Sequence, residues 1–332
     1  MPKRKFINAN RELSKTAKLC ESDRAQYNEA SALIESCFLL NCPPDFYEFY
    51  AFCCSVFPDS PLDALYEDLG VRLVGPFEVL HEPTKFKSDD DLTDCYRYFH
   101  DPPELVTVLA EDGESAFHVG YFRDNYTDQP GFLVSSSPLE TGKLTILDKN
   151  IFATVLNLLK KLKMDSGSIP PTLSKLTGFV KERRICVSSK TFLSRKFTCE
   201  TLNGVGLKVD MQNGVGYRPV PTTHKELITM LQIVTDSTDA NTSKLDELMT
   251  LVQFANDEGD FGEGLELGLD LLAFHPSGAS ASEVFKKANR LNSRITCLLS
   301  TGYQLAGRPK FAHVVRRHME CRLQTRRLRT VG

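Results

Sequence analysis

The sequence predicts an α+β protein built from two mixed domains. Three features carry that prediction: apolar residues recur at helical spacing in separate segments, short β-branched runs cluster in the first half, and glycine- and proline-rich stretches punctuate the chain. A chain of 332 residues accommodates two domains more readily than one. The expected layout is a flexible basic leader over 1–24, an N-terminal α+β domain over 25–145 and a C-terminal α+β domain over 146–332. The first is expected to be a helix followed by an antiparallel meander, the second a mixed sheet with helices.

Each element has its own warrant. Pro43-Pro-Asp-Phe-Tyr-Glu-Phe-Tyr-Ala-Phe52 reads as a buried helix, opened by Pro44 and Asp45 and carrying aromatics at Phe46, Phe49, Tyr50 and Phe52. Gly70–Pro76 reads as a short strand ending in a turn. Leu105–Leu109 and Phe117–Phe122 read as strands with Glu111-Asp-Gly113 between them. Gly, Pro, Ser and Thr over Asp128–Gly142 mark a loop or boundary. A helix over Ile151–Lys163 follows, with Phe152, Val155, Leu156 and Leu159 as one stripe, and Ser166–Pro171 reads as a loop. Lys190–Lys196 and Lys208–Met211 are expected strands on either side of Asn203-Gly-Val-Gly206. Asn213-Gly-Val-Gly-Tyr-Arg-Pro-Val-Pro221 is a glycine-rich approach to an arginine, and its prolines prevent a helix. Helices are expected over Lys225–Thr235 and over Leu245–Ala255, the latter ending at Gly259.

Composition restricts the class of function. The chain is 41% hydrophobic and 25% charged with a net charge of −3, which argues against a protein that coats nucleic acid over its whole surface. Ten scattered cysteines without a CxxC or a Cys/His quartet point to free thiols in a reducing compartment and away from zinc. The start, Met-Pro-Lys-Arg-Lys-Phe, lacks the apolar core of a signal peptide, and an intracellular protein is expected. No apolar run approaches membrane-spanning length, and no heptad pattern suggests self-association, so a monomer without membrane contact is expected. Charge is nevertheless uneven. Pro2-Lys-Arg-Lys5 has the form of a nuclear import signal. From Lys286 to the end the chain is rich in arginine and is opposed only by Glu320. Such a tail suits DNA or a polyanion such as poly(ADP-ribose). Val314, Val315, Met319 and Leu323 recur between the arginines at helical spacing, so a solvated helix is the alternative reading.

The chemistry concentrates at Phe254-Ala-Asn-Asp-Glu-Gly-Asp260. A packed helix ends there by presenting Asp257, Glu258 and Asp260 at a glycine turn. No GxGxxG after a strand, Walker loop, HExxH or GxSxG is present, and the seven histidines form no ligand pairs. Asp257 and Glu258 are adjacent, so on a helix they diverge by about 100° and cannot face each other as a glycosidase pair. One of them acting chemically would be a single general base, worth about 10²–10⁴ in rate. The bland reading is an acidic helix end, although the macrodipole disfavours negative charge there.

Four segments together resemble the histone PARylation factor family, the accessory subunits of DNA-damage-activated poly(ADP-ribose) polymerases. They are Tyr98-Phe-His-Asp-Pro-Pro-Glu104, His118-Val-Gly-Tyr-Phe-Arg-Asp124, Gly214-Val-Gly-Tyr-Arg-Pro219 and Phe254–Glu258 with its continuation to Asp270. The likeness runs from about Pro43 to about Leu299. It implies a nuclear, chromatin-associated factor, inert alone, that docks on the polymerase catalytic domain and completes its active site. The polymerase holds NAD, and the factor has no cofactor or metal of its own. ADP-ribose is then directed onto serine, chiefly on histones. The catalytic glutamate falls on Glu258, as base for the serine hydroxyl. Arg218, preceded by Tyr217, falls on the docking arginine, Asp257 and Asp260 on the acidic rim, and Lys287 on a further docking lysine. Gly259 and Gly214 depart from the family, whose vertebrate members carry a cysteine and an acidic residue there. The Pro43–Phe52 helix and the strands after it are also similar to SMI1/KNR4-type recruitment modules, which implies a second reading as a scaffold without chemistry.

Overall fold

A computed structural model describes residues 21–113, 115–187, 195–236, 242–277 and 280–322. The first part runs α1 (Glu21–Phe38), α2 (Pro44–Val56), α3 (Tyr66–Leu69), β1 (Val71–Leu73), α4 (Pro76–His81), β2 (Leu105–Glu111), β3 (His118–Phe122), β4 (Phe132–Ser136) and β5 (Leu144–Ile146). The elements that follow are helices: α5 (Ile151–Ser166), α6 (Pro171–Arg183), α7 (His224–Asp236), α8 (Ser243–Asp257), α9 (Phe261–Ala273), α10 (Ala281–Ala288), α11 (Asn292–Leu305) and α12 (Pro309–Cys321), with an irregular stretch before α7. None of these helices is long and apolar enough to cross a membrane.

The five strands form an antiparallel meander in the order β1-β2-β3-β4-β5. Register is fixed by pairs such as Leu105 with Phe122 and Phe122 with Phe132, with an irregularity between Thr107 and Leu109. Both faces are covered. Val106, Val119, Tyr121 and Leu133 point into a core shared with α1, α2, α4, α5 and α6. Leu105, Phe122, Phe132, Val134 and Leu144 pack on the other side, against Val205. Double coverage explains why the strands read as nearly continuous apolar runs. α2 fills the first core as its aromatics require, with Phe46 stacked on Phe77 at 4.1 Å.

The second core lies around α9. Leu265, Leu267, Leu269, Leu271 and Leu272 are all buried, so this helix is enclosed on every side, principally between α8 and α11. Its glycines make that possible. A Cβ on Gly268 would lie 2.6 Å from Leu299 Cδ2 and 2.8 Å from its Cγ, closer than atoms approach. Gly268→Ala is therefore expected to lower unfolding free energy by about 1–3 kcal/mol through overpacking, measured by urea denaturation.

Two sequence expectations need correction here. Among the described residues, no mixed sheet forms in the second half. Lys208–Met211 lies between two isolated bridges, Cys199 with Leu207 and Gln212 with Val215. The reason is local: Gly204, Gly206, Gly214 and Gly216 all have positive φ and turn the backbone before a ladder can extend. Lys190–Lys196 falls largely outside the described residues. Second, the Asp128–Gly142 segment is not only a loop, because Phe132-Leu-Val134 supplies β4.

The two cores meet through buried polar contacts. The Tyr303 hydroxyl donates to Glu104 Oε1 at 2.6 Å, and His100 Nδ1 contacts the Leu272 carbonyl at 2.8 Å. Arg322, at the end of the described chain, lies 3.8 Å over the Phe99 ring and donates to the Phe99 carbonyl. The Tyr98–Glu104 and His118–Asp124 segments serve this seam. Tyr98 stacks on His118 at 3.8 Å, His118 Nε2 contacts Asp101 Oδ1 at 3.0 Å, and Arg123 donates to the Leu39 and Glu104 carbonyls. Several basic residues of the C-terminal region are likewise engaged internally: Arg294 with Asp246, Arg308 with Asp210 and Arg317 with Asp94. Val314, Val315 and Met319 are the buried stripe of α12. The Pro2–Lys5 cluster and Arg326, Arg327 and Arg329 lie outside the described residues.

Candidate functional site

The acidic turn is the link between α8 and α9, and its backbone is fully specified. Glu258 caps α8 and its N–H donates to the Phe254 carbonyl at 3.0 Å. Gly259 follows at φ +97° and donates to Asn256 O, while Asp260 N reaches Ala255 O at 2.8 Å. This pair of bonds is a Schellman ending, which needs a left-handed residue at that position and so favours glycine. A Cβ on Gly259 would also meet Val215 Cγ1 at 3.0 Å.

The glycine-rich segment is folded onto this link. Gln212 and Val215 exchange two backbone hydrogen bonds of 2.9 Å around Asn213 and Gly214, both at positive φ. That is the hairpin turn an Asn-Gly pair favours. Gly216 N then donates to Asp260 Oδ1 at 3.0 Å, and Gly262 N donates to Gly216 O at 2.8 Å. A side chain on Gly262 would collide with Gly216 O at 2.8 Å, so the approach of the two backbones depends on it.

This folding brings Arg218 to Glu258. Arg218 Nη1 donates to Glu258 Oε2 at 2.8 Å and its Nε to Glu263 Oε2 at 3.1 Å. The two carboxylates differ sharply in environment: the Glu258 side chain is 63% exposed and that of Glu263 only 2%. Burial pushes the Glu263 carboxyl upward, and Arg218 counters that push. In return Glu263 first, and Glu258 second, hold the Arg218 guanidinium above its ordinary value. A half-exposed guanidinium with five N–H donors thus spans a buried acid and a free one.

The other expected site residues are placed differently from one another. Asp260 joins the turn through Gly216. Asp257 is exposed beside Glu258 and accepts from Gln253 Nε2 at 3.1 Å on its own helix. Tyr217 points inward, its hydroxyl donating to Glu266 Oε2 at 2.9 Å. Lys287, on α10, pairs with Asp236 at the end of α7. Exposed apolar side chains border the acids, with Leu251 and Phe254 on α8 and Met211 and Val215 on the hairpin.

Sequence reasoning missed a row of buried acids. Glu263, Glu266 and Asp270 follow each other by three and four residues on α9, so they share one face. Arg218 engages the first. Tyr217 engages the second. The third, Asp270, accepts from Leu202 N at 2.7 Å and contacts His224 Nε2 at 3.4 Å. Burial raises the Asp270 carboxyl to about 7, the Leu202 bond opposes this, and the charge of Glu266 adds to it. Burial likewise raises Glu266, with Tyr217 opposing. The Cys199 thiol nearby is pushed up to about 12 by burial first and Glu266 second. The available signal was that spacing of carboxylates within an otherwise apolar run.

Comparison with known proteins gives a consistent set of relatives. A family model described as Histone PARylation factor 1 matches residues 29–322. The chain is 33% identical to histone PARylation factor 1 of Mus musculus, over 96% of this chain and 95% of that one. It is 34% identical to the Bos taurus protein of the same name, over 93% and 91% of the two chains. With the Danio rerio protein of that name the identity is 31%, over 95% and 92%.

Proposed function

Because the chain belongs to the histone PARylation factor 1 family, we propose that it docks on the catalytic domain of a poly(ADP-ribose) polymerase and lends that active site Glu258. The observation that carries the proposal is the Arg218–Glu258 pair, which holds a docking cation and an acid together on one exposed turn. A carboxylate presented by the partner competes with Glu258 for the guanidinium, which suits bidentate contact. Arg218 stays anchored to buried Glu263, while Glu258 is released toward the substrate. The exposed Leu251, Phe254 and Val215 supply apolar contact around the charges.

In the proposed step, Glu258 takes the proton from a serine hydroxyl as its oxygen attacks the anomeric carbon of the NAD ribose. The bond to nicotinamide breaks, and nicotinamide leaves with the electron pair. A serine hydroxyl is a weak nucleophile and gains from an adjacent base. NAD is held by the polymerase, and this chain brings no cofactor to the transfer. The reading places the protein in the nucleus, at damaged chromatin, with histones as substrates.

The test is reconstitution with a DNA-activated poly(ADP-ribose) polymerase, NAD and a histone H3 tail peptide, with mass spectrometry locating the modified residue. Serine labelling is expected only when this protein is present, and the protein with NAD alone is expected to be inert. No serine labelling with all components present would overturn the proposal.

A further inference from the structure

Behind the docking turn lies a second cluster that the proposed chemistry does not use. We propose that His224, Glu266 and Asp270 form a binding site for one divalent transition-metal ion of the zinc class. One donor atom from each residue lies within 4.8 Å of the others. His224 Nε2 and Asp270 Oδ2 are 3.4 Å apart, close to the edge of a tetrahedron with bonds of about 2.0–2.1 Å, which is roughly 3.3 Å. A Glu266 carboxylate oxygen lies within 4.8 Å of both.

The cluster has the architecture of a metal site. Glu266 and Asp270 stand one turn apart on α9, the spacing that sets two ligands on one helix face. His224 enters from a different element, at the first residue of α7. Donors outside the cluster orient both carboxylates: Leu202 N holds Asp270 Oδ1 at 2.7 Å, leaving Oδ2 toward His224, and the Tyr217 hydroxyl holds Glu266 Oε2 at 2.9 Å. Such outer contacts tune affinity as much as the ligands do.

Charge balance points the same way. Arg218 reaches Glu263, while the next two acids, Glu266 and Asp270, are both buried beside His224. A dication would supply counter-charge to two buried carboxylates that otherwise face the His224 ring, Tyr217 and backbone N–H groups. An entry path exists, because the His224 side chain is 37% exposed while Asp270 is 2% exposed. One imidazole with two carboxylates suits zinc-class ions, whereas calcium and magnesium favour all-oxygen sets with more ligands. A bound ion would tie α7 and the Tyr217–His224 segment to α9 and so stiffen the support of Arg218.

The experiment is calorimetric titration of chelator-stripped full-length protein with Zn²⁺ at pH 7.5, with Co²⁺ absorption as a report of ligand geometry. One equivalent is expected to bind with a low-coordinate Co²⁺ spectrum. The thermal midpoint is expected to rise by about 5 °C at a hundredfold excess over Kd. His224→Ala, at a partly exposed position, is expected to fold normally and to weaken Zn²⁺ binding by about 100-fold or more. Asp270→Asn is expected to abolish the Co²⁺ spectrum. Absence of saturable binding, or equal affinity in His224→Ala, would overturn the site. None of these readouts needs the polymerase, so the test stands apart from the proposed function.

Discussion

Glu258→Ala is expected to reduce serine modification in the reconstituted complex by about 10²–10⁴-fold while the complex still assembles. The residue caps α8 with an exposed side chain, so its removal opens no cavity and leaves the Schellman turn at Gly259 intact. Arg218 keeps its second partner, Glu263. Loss of activity would therefore reflect loss of the base and not of the surface. Glu258→Gln sharpens the comparison, because it retains the shape and an acceptor for Arg218 but not the basicity. Calorimetry should give both variants wild-type affinity for the polymerase. Wild-type labelling by Glu258→Ala would leave the protein a recruitment scaffold of the SMI1/KNR4 kind.

The second large effect is expected at Arg218. Arg218→Ala should weaken docking by about 2–5 kcal/mol, roughly 30- to 4000-fold in Kd, if the guanidinium meets a partner carboxylate in a desolvated interface. Activity should return in part at high protein concentration, since the base is still present. The substitution also leaves the buried Glu263 carboxylate without its cation, which destabilises the turn itself. A double variant, Arg218→Ala with Glu263→Gln, separates the two causes. It should recover thermal stability without recovering affinity. Normal binding by Arg218→Ala would remove the docking face from this turn.

Much of the framework was legible because its signals are local. The proline-opened α2, the first three meander strands and the end of α8 at Gly259 all follow from patterns a few residues long. α9 was not legible as a helix. Glycine disfavours helix by about 1 kcal/mol per residue, and Phe261–Ala273 holds three of them among charges. Their purpose is tertiary, to let α11 and the Gly216 backbone come close, and no local window reveals that. The same limit applied to the expected strand at Lys208–Met211, where turns replaced a ladder.

The candidate site divides along the same line. That Glu258 stands at an exposed turn follows from its own neighbours. That Arg218 reaches it depends on a hairpin and on two glycine backbones in contact. Tyr217 was named beside the docking arginine, yet its hydroxyl turns to the buried Glu266 acceptor, where a polar tip on an aromatic ring gains a partner. The buried acids of α9 went unread because burial of a carboxylate is invisible until its partner is known.

Gly259 and the cap before it fix where the Glu258 side chain begins, but not where it points. Among the described residues, only Arg218 holds the carboxylate. Once that contact is exchanged, the side chain regains its rotamers, a freedom worth about 1.5–2 kcal/mol to restrain again. The partner and the incoming peptide must provide that restraint. On the proposed function, the effective molarity of the base is then a property of the assembled complex, and it arises only when all three components are in place.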